Sequence, residues 1–394
     1  MTPIPTSARR GRRSRVLGTL AAVVLLAAAC GGDAAEEDSG PAASATPVPT
    51  DESGRPQLSD SYSAQIQAAE GVMVDTSQFK AEAPYRIAAV VQGPNNGWGT
   101  IFDAVMRNAF EESGQVDDLL YVPWDFATEN QVKGIDDAIA ADVDAILLTS
   151  LSRAGLSAAV DRAANAGIPV VNCMAGVETD SFTAEVSRDI PWMGYDTAKQ
   201  MAEELGGQGK VVMLHGIAGV DAAEFWKSGA LEAFGEYPDI EIVSEQYGNW
   251  SAADAISVMR TVVAQEAEID AVWVGGLEMS PAVVDAFREA GRDVPFIGGT
   301  NTTNGFLRLA IENDLEFYAA PFPAAASQLC VETVFKVLAG EEVPRYQDVA
   351  EVMEGTEPFG TEDAEEWYVE EFNDDFIGPK VADDEVYIKA GFEK

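Results

Sequence analysis

From residue 84 onward, hydrophobic and polar positions fall into a regular alternation. Arg86–Gln92 (RIAAVVQ) is a near-continuous apolar run, the pattern of a strand buried on both faces. Trp98–Ser113 follows with helical spacing: Ile101, Val105, Ala109 and Phe110 fall on one side, and Gly114 stops the helix. Leu119–Val122, Ala145–Thr149 and Ile168–Cys173 read as further strands, with helices over Glu129–Ala141 and Ala154–Ala166 between them. Repeated strand–helix units predict a parallel sheet with right-handed crossovers. An extended stretch, Phe182–Ser187, then leads into a second set. Its helices are predicted over Trp192–Leu205, Ala222–Phe234, Ala252–Ala267, Ser280–Ala290 and Phe306–Asn313. Its strands are Lys210–His215, Ile240–Tyr247, Ala271–Val274, Pro295–Gly299 and Phe317–Ala320. Ala324–Leu338 is a final long helix. The expected fold is α/β, with two Rossmann-like lobes whose parallel sheets are joined by a hinge. Lobe I takes about 84–184 plus 322–340 and lobe II about 188–318, with a ligand cleft between them. The hinge is expected near Thr183–Ser187, Phe317–Phe322 and Glu341–Val349.

The region before this body has a different pattern. Arg9, Arg10, Arg12, Arg13 and Arg15 precede an uncharged run, Val16–Ala29, and no acid occurs before Asp33. Fourteen residues are too few to cross a bilayer core of about 30 Å as a helix. A basic segment, a short apolar run and small residues mark 1–29 as an export signal. Ala27-Ala28-Ala29 followed at once by Cys30 resembles the lipobox of bacterial lipoproteins, where the Cys is diacylated. Leu26 stands one place earlier than the usual pattern has it, and an ordinary signal peptide with a coincidental Cys is the alternative reading. Residues 30–83 are rich in Ala, Ser, Pro, Asp and Glu and read as a partly disordered tether. Within it, Ser59–Phe79 offers Ile66, Val72, Met73, Val74 and Phe79 for packing.

Composition narrows the function. The 394 residues include 66 Asp and Glu against 25 Lys and Arg, a formal net charge of −41, which argues against a nucleic-acid partner. One His and three Cys exclude most zinc and iron–sulfur schemes, and no cofactor is implied. His215 ends an apolar strand and reads as a core residue, with no assignable triad partner. Gly206–Lys210 is a phosphate loop by composition only, because it lies at a helix end before a strand. Cys173 and Cys330 are read either as an extracytoplasmic pair or as two buried thiols. Residues 351–375 hold eleven acids and no Lys or Arg and predict an acidic amphipathic helix capping lobe II, within an extension spanning 341–394.

Five short stretches carry a resemblance. They are Val90–Trp98 (VVQGPNNGW), Gly167–Val171 (GIPVV), His215–Gly219 (HGIAG) with Ala222-Ala223, Ala271–Val274 (AVWV) with Glu278-Met279, and Phe296–Gly299 (FIGG). In this order and spacing, 84–340 is similar to the ribose-type family of bacterial periplasmic sugar-binding proteins, the solute receptors of ABC transporters. The resemblance implies a type I periplasmic binding protein fold and a binding role rather than catalysis. It also implies a small-molecule solute, sugar-like or partly apolar, an ABC permease as partner, and a monomer, while the lipobox-like pattern implies a tether through Cys30 to the outer face of the cell membrane.

The resemblance also places the site. Asn96 and Trp98 stand at the family's Asn and aromatic positions, and Trp250 at a second ring-stacking position. Other positions depart from the family: Met174-Ala175 replace Asp-Arg, Glu224 replaces Arg, Gly276-Leu277 replace Asn-Asp, Thr300 with Asn301 replaces Asp, and Pro321 replaces Gln. Loss of these charged contacts implies either that the loops are shifted or that the ligand is less polyhydroxylated. Trp98, Trp250, Met174 and Phe322 would suit a flat or partly apolar compound, and Glu224 a cation or hydroxyl. Trp124-Asp125, Ser150, Ser152 and Asp221 are further rim candidates. The alternative function is a ligand-sensing receptor for a signalling molecule or for a non-sugar (cationic or aromatic) solute.

Overall fold

The structure, a computed structural model, describes Thr50, residues 57–124 and residues 126–394. The expected export signal, Cys30, most of the expected tether and Asp125 lie outside the described residues. Among the described residues no helix is long and apolar enough to cross a membrane.

Helix α1 (Ser61–Ala69) and the short strand β1 (Met73–Val74) precede the body. Lobe I begins with β2 (Tyr85–Gln92), α2 (Gly97–Ser113), β3 (Val116–Trp124), α3 (Thr128–Ala140), β4 (Ala145–Leu148), α4 (Arg153–Asn165), β5 (Val170–Cys173) and β6 (Ala184–Ser187). Lobe II follows with α5 (Ile190–Glu204), β7 (Gln208–His215), α6 (Asp221–Phe234), β8 (Asp239–Tyr247) and α7 (Ala252–Gln265). It continues with β9 (Ala271–Gly275), α8 (Ser280–Glu289), β10 (Phe296–Thr300), α9 (Asn304–Asn313) and β11 (Phe317–Ala320). The chain returns to lobe I for α10 (Ser327–Ala339), β12 (Val343–Pro344), β13 (Tyr346–Asp348) and the single turn α11 (Val349–Val352). It ends with β14 (Phe359–Gly360), α12 (Ala364–Trp367) and α13 (Asp384–Lys389).

Both sheets have six strands and the same winding: β13-β6-β5-β4-β2-β3 in lobe I and β14-β11-β10-β9-β7-β8 in lobe II. All their pairs are parallel except β14 against β11. Ile87–Val91 in β2 and Ala271–Val274 in β9 are wholly buried, as unbroken apolar runs require. Gly194 on α5 and Gly229 on α6 have no Cβ because each faces the other helix's backbone at closest approach, which fixes where α6 presents its side chains. Cys173 on β5 and Cys330 on α10 form a disulfide within lobe I.

Three segments cross between the lobes: Arg188-Asp189, Pro321–Pro323 and 353–358. Arg188, buried on the first, donates from Nη1 to the Pro321 carbonyl on the second (2.6 Å) and the Thr356 carbonyl on the third (2.7 Å). One guanidinium thus gathers the whole hinge.

The expected acidic helix over 351–375 does not form. Gly355, Pro358 and Gly360 interrupt it, and Phe359 instead joins β14 to the lobe II sheet and stacks on Trp367 at 4.0 Å. Nor does the extension rest on lobe II alone, because α13 packs on α2 of lobe I.

Candidate functional site

The strands of both lobes end at one cleft, the position where an open α/β sheet carries its ligand. From lobe I come Gln92 at the end of β2, Trp124 at the end of β3, Thr149 and Ser150 after β4, and Met174 after β5. From lobe II come Val220 and Ala222 around the start of α6, Trp226 on α6, Trp250 after β8, Glu278 after β9 and Asn301 after β10. Phe322, on a crossing segment, closes the set. The space between them is about 60 Å³. The lobes touch beside it, where Asp221 Oδ2 accepts from the Arg153 backbone N–H at 2.5 Å.

Aromatic rings form the walls. Trp98 stacks on Phe322 (5.6 Å, 13°) and on Phe102, and its Nε1 donates to the Phe322 carbonyl at 2.8 Å. Trp226 stands edge-on to both Phe322 (5.3 Å) and Trp250 (6.1 Å). Trp124 Nε1 is held by Thr149, whose carbonyl also accepts from Gln131. Met174, Trp250 and Asn301 all have left-handed backbones (φ 62°, 49° and 64°), an uncommon conformation that recurs at binding sites. Gly276 is required beside them. Its φ is 118°, and a Cβ there would lie 2.8 Å from the Trp250 ring and 2.9 Å from Glu278 Oε2.

Among the cleft groups, Ser150 Oγ, Trp226 Nε1, Glu278 Oε2 and Asn301 Oδ1 are buried without a hydrogen-bond partner in the protein. Buried polar atoms are normally paired, so this set can hydrogen-bond a polar solute. Burial pushes the Glu278 carboxyl up to about 7, opposed only by a backbone hydrogen bond.

The sequence-predicted residues distribute as follows. Asn96, Trp98, Met174, Trp250 and Asn301 line the cleft. Asn96 has only its amide N–H₂ to offer, because Oδ1 caps α2 at Gly99 N (2.8 Å) and accepts from Gln92. Gly276 shapes the floor. Thr300 is buried at the end of β10 behind Asn301. Pro321 serves the hinge through its carbonyl. Glu224 lies outside the cleft lining and accepts instead from Gly219 N and the Tyr247 hydroxyl. Ser152 caps α4 at Gly155 N. His215 is buried against Tyr247 and Trp273, and burial pushes its imidazole down to about 4. Glu278 and Trp226 were not singled out as ligand contacts. The signal for Glu278 was a lone carboxylate between the buried run Ala271–Gly275 and the buried Leu277 and Met279.

Two lobes of one topology, closing aromatic walls and unpaired polar groups on a cleft at the strand ends, define a two-lobed solute receptor. Residues 87–342 match the model of the periplasmic binding protein domain, and the chain belongs to that family. A xylitol-binding protein of Mycolicibacterium smegmatis is 29% identical over 170 residues, 43% of this chain and 49% of its own length. A ribose import binding protein of Bacillus subtilis is 25% identical over 220 residues, 55% of this chain and 70% of its own. Among solved structures, the binding component of an arabinose ABC transporter from Shewanella has a TM-score of 0.64 at 22% identity, covering 72% of this chain and 94% of that one. A solute-binding protein from Bacillus halodurans with bound myo-inositol has a TM-score of 0.65 at 20% identity, covering 73% and 98%. At these identities the structures establish the fold.

Proposed function

We propose that the protein is an extracytoplasmic substrate-binding lipoprotein of an ABC importer. It takes a sugar or related small polar solute in the interlobe cleft and delivers it to a membrane permease. The observation that carries this reading is the pairing of aromatic walls (Trp98, Trp226, Trp250) with unpartnered Ser150, Glu278 and Asn301, because sugar C–H faces need flat walls and hydroxyls need buried donors and acceptors. The xylitol, ribose and arabinose named for the relatives point to the same solute class. Thermal shift of the full chain against sugars, polyols and amines tests it. A sugar or polyol at 100 times its Kd is expected to stabilise the protein by about 2.7 kcal/mol. Response to cationic amines alone would overturn the reading. That second reading, a cation receptor, is favoured by Glu278 set among Trp rings, and it requires affinity to rise as pH climbs through about 7.

Anchoring through Cys30 rests on the Ala27–Cys30 pattern and the acidic tether after it. Cys30→Ser is expected to move the expressed protein from the membrane to the soluble fraction. Unchanged membrane retention would exclude lipidation at Cys30.

A further inference from the structure

The family match ends at residue 342, and the chain beyond it lines a cavity that adjoins the cleft. On lobe II, Asn304 opens α9 by donating from Nδ2 to the Val369 carbonyl (2.7 Å) and accepting from Val369 N (3.1 Å). The Asn304 and Gly305 N–H groups donate to the carbonyls of Phe376 and Asp374, both at 2.9 Å. Arg308 grips the Asp374 carboxylate with two nitrogens (3.1 and 2.7 Å). On lobe I, α13 packs on α2, and the Asp375 carbonyl sits so close to Gly97 that a Cβ there would lie 2.7 Å away. Phe372, Phe376, Tyr387 and Phe392 form a buried aromatic knot that stiffens the segment between these anchors.

The result is a second cavity of about 610 Å³ outside the cleft. Its walls come from the start of α2, from lobe II and from residues 373–377 and 390–392. Its floor is Asn96, Trp98, Trp250 and Glu278, all of which also line the inner cleft. The inner space, about 60 Å³, falls well below the roughly 300–1,000 Å³ of small-molecule sites, whereas the outer one lies within that range. Trp250 and Leu309 give the outer space apolar surface, the nearly buried Ile377 and Phe392 back its wall, and Asn95 and Asp375 give it polar surface.

We propose that the C-terminal segment is a third wall of the ligand site, so that the receptor takes a glycoside or short oligosaccharide. The first ring enters the cleft beside Glu278 and Trp226 as the lobes part, because the roughly 60 Å³ now open there is too small for it, and the second unit rests in the vestibule against Trp250 and Leu309. This rests on the sugar-binding reading above. The test is calorimetry on the full chain with D-ribose, D-xylose, D-allose and L-arabinose and the methyl and phenyl β-glycosides of each. The phenyl glycoside of a sugar that binds is expected to bind at least about tenfold tighter than the free sugar, from the added apolar burial. In Leu309→Glu the ratio of the two affinities is expected to fall to near one. Ala252→Trp, at an exposed position on the vestibule wall, is expected to do the same without touching the core. A free sugar binding as tightly as its glycoside, or more tightly, would overturn the vestibule and leave the sugar reading standing. Binding of neither form, with another solute class bound instead, would remove both.

Discussion

At the scale of single residues, Glu278 has the most specific consequence. Its carboxyl is raised to about 7 by burial, above its value in an unfolded chain. A raised carboxyl contributes stability that is fully present below the unfolded value and is lost as pH rises through the folded one. Glu278→Gln keeps the shape and removes the ionisation. Relative to the wild type, it is expected to gain on the order of 1–3 kcal/mol at about pH 8.5 compared with about pH 5. Urea unfolding of both proteins at the two pH values measures this, and an equal difference at both would mean the carboxyl is not held neutral. The cleft was legible in part. Trp98, Met174, Trp250 and Asn301 follow strand ends, and strand ends are readable from apolar runs. Trp226 was hidden by helical phase. On α6, Ala222 and Trp226 are four residues apart and share the cleft face, while Glu224 between them points about 200° away and pairs with Tyr247.

At the scale of elements, the alternation of strands and helices was readable because each strand is buried on both faces and each helix on one. The ends moved by a few residues where capping or register decides them. Asn96 starts α2 at Gly97 through its bond to Gly99 N, and β3 runs from Val116 because its edge residues still pair with β2. Long-range placement was not readable. Nothing local reports that Phe359 pairs with Ala319, or that Asp374 meets Arg308. The Cys173–Cys330 bond is one of the two readings of these cysteines, and long-range placement decides between them. The bond joins β5 to α10 across a separation of 157 residues that contains lobe II from α5 to β11. Closing so long a loop restricts the unfolded chain, an effect of about 5 kcal/mol in the entropic account. The disulfide therefore makes lobe I a single unit despite the insertion.

At the scale of the whole molecule, helix α1, which precedes the family match, lies across both lobes. The Tyr62 hydroxyl donates to Glu185 of lobe I, its ring stacks on Phe225 of lobe II at 5.1 Å, and the Arg153 guanidinium covers it at 4.5 Å. Gln65 reaches the Val177 carbonyl on one lobe (3.0 Å), and Asp60 accepts from Ser228 on the other (3.1 Å). Ser63 bonds Asp189 on the crossing itself (2.8 Å). These bonds and stacks hold the lobes in their present approach, so they oppose hinge opening. Tyr62→Ala removes the stack and the bond together. The variant is expected to show a radius of gyration larger by on the order of 1 Å in X-ray scattering without ligand, and about tenfold weaker binding, because the closed form loses population. Tyr62→Phe separates the two effects. It keeps the stack but leaves buried Glu185 without its donor, so it is expected to cost about 1–3 kcal/mol of stability with no expansion. Equal scattering curves for Tyr62→Ala and the wild type would show that α1 rides on the lobes without restraining them. Expansion in Tyr62→Ala alone would make the segment that precedes the two-lobed body part of the closure equilibrium.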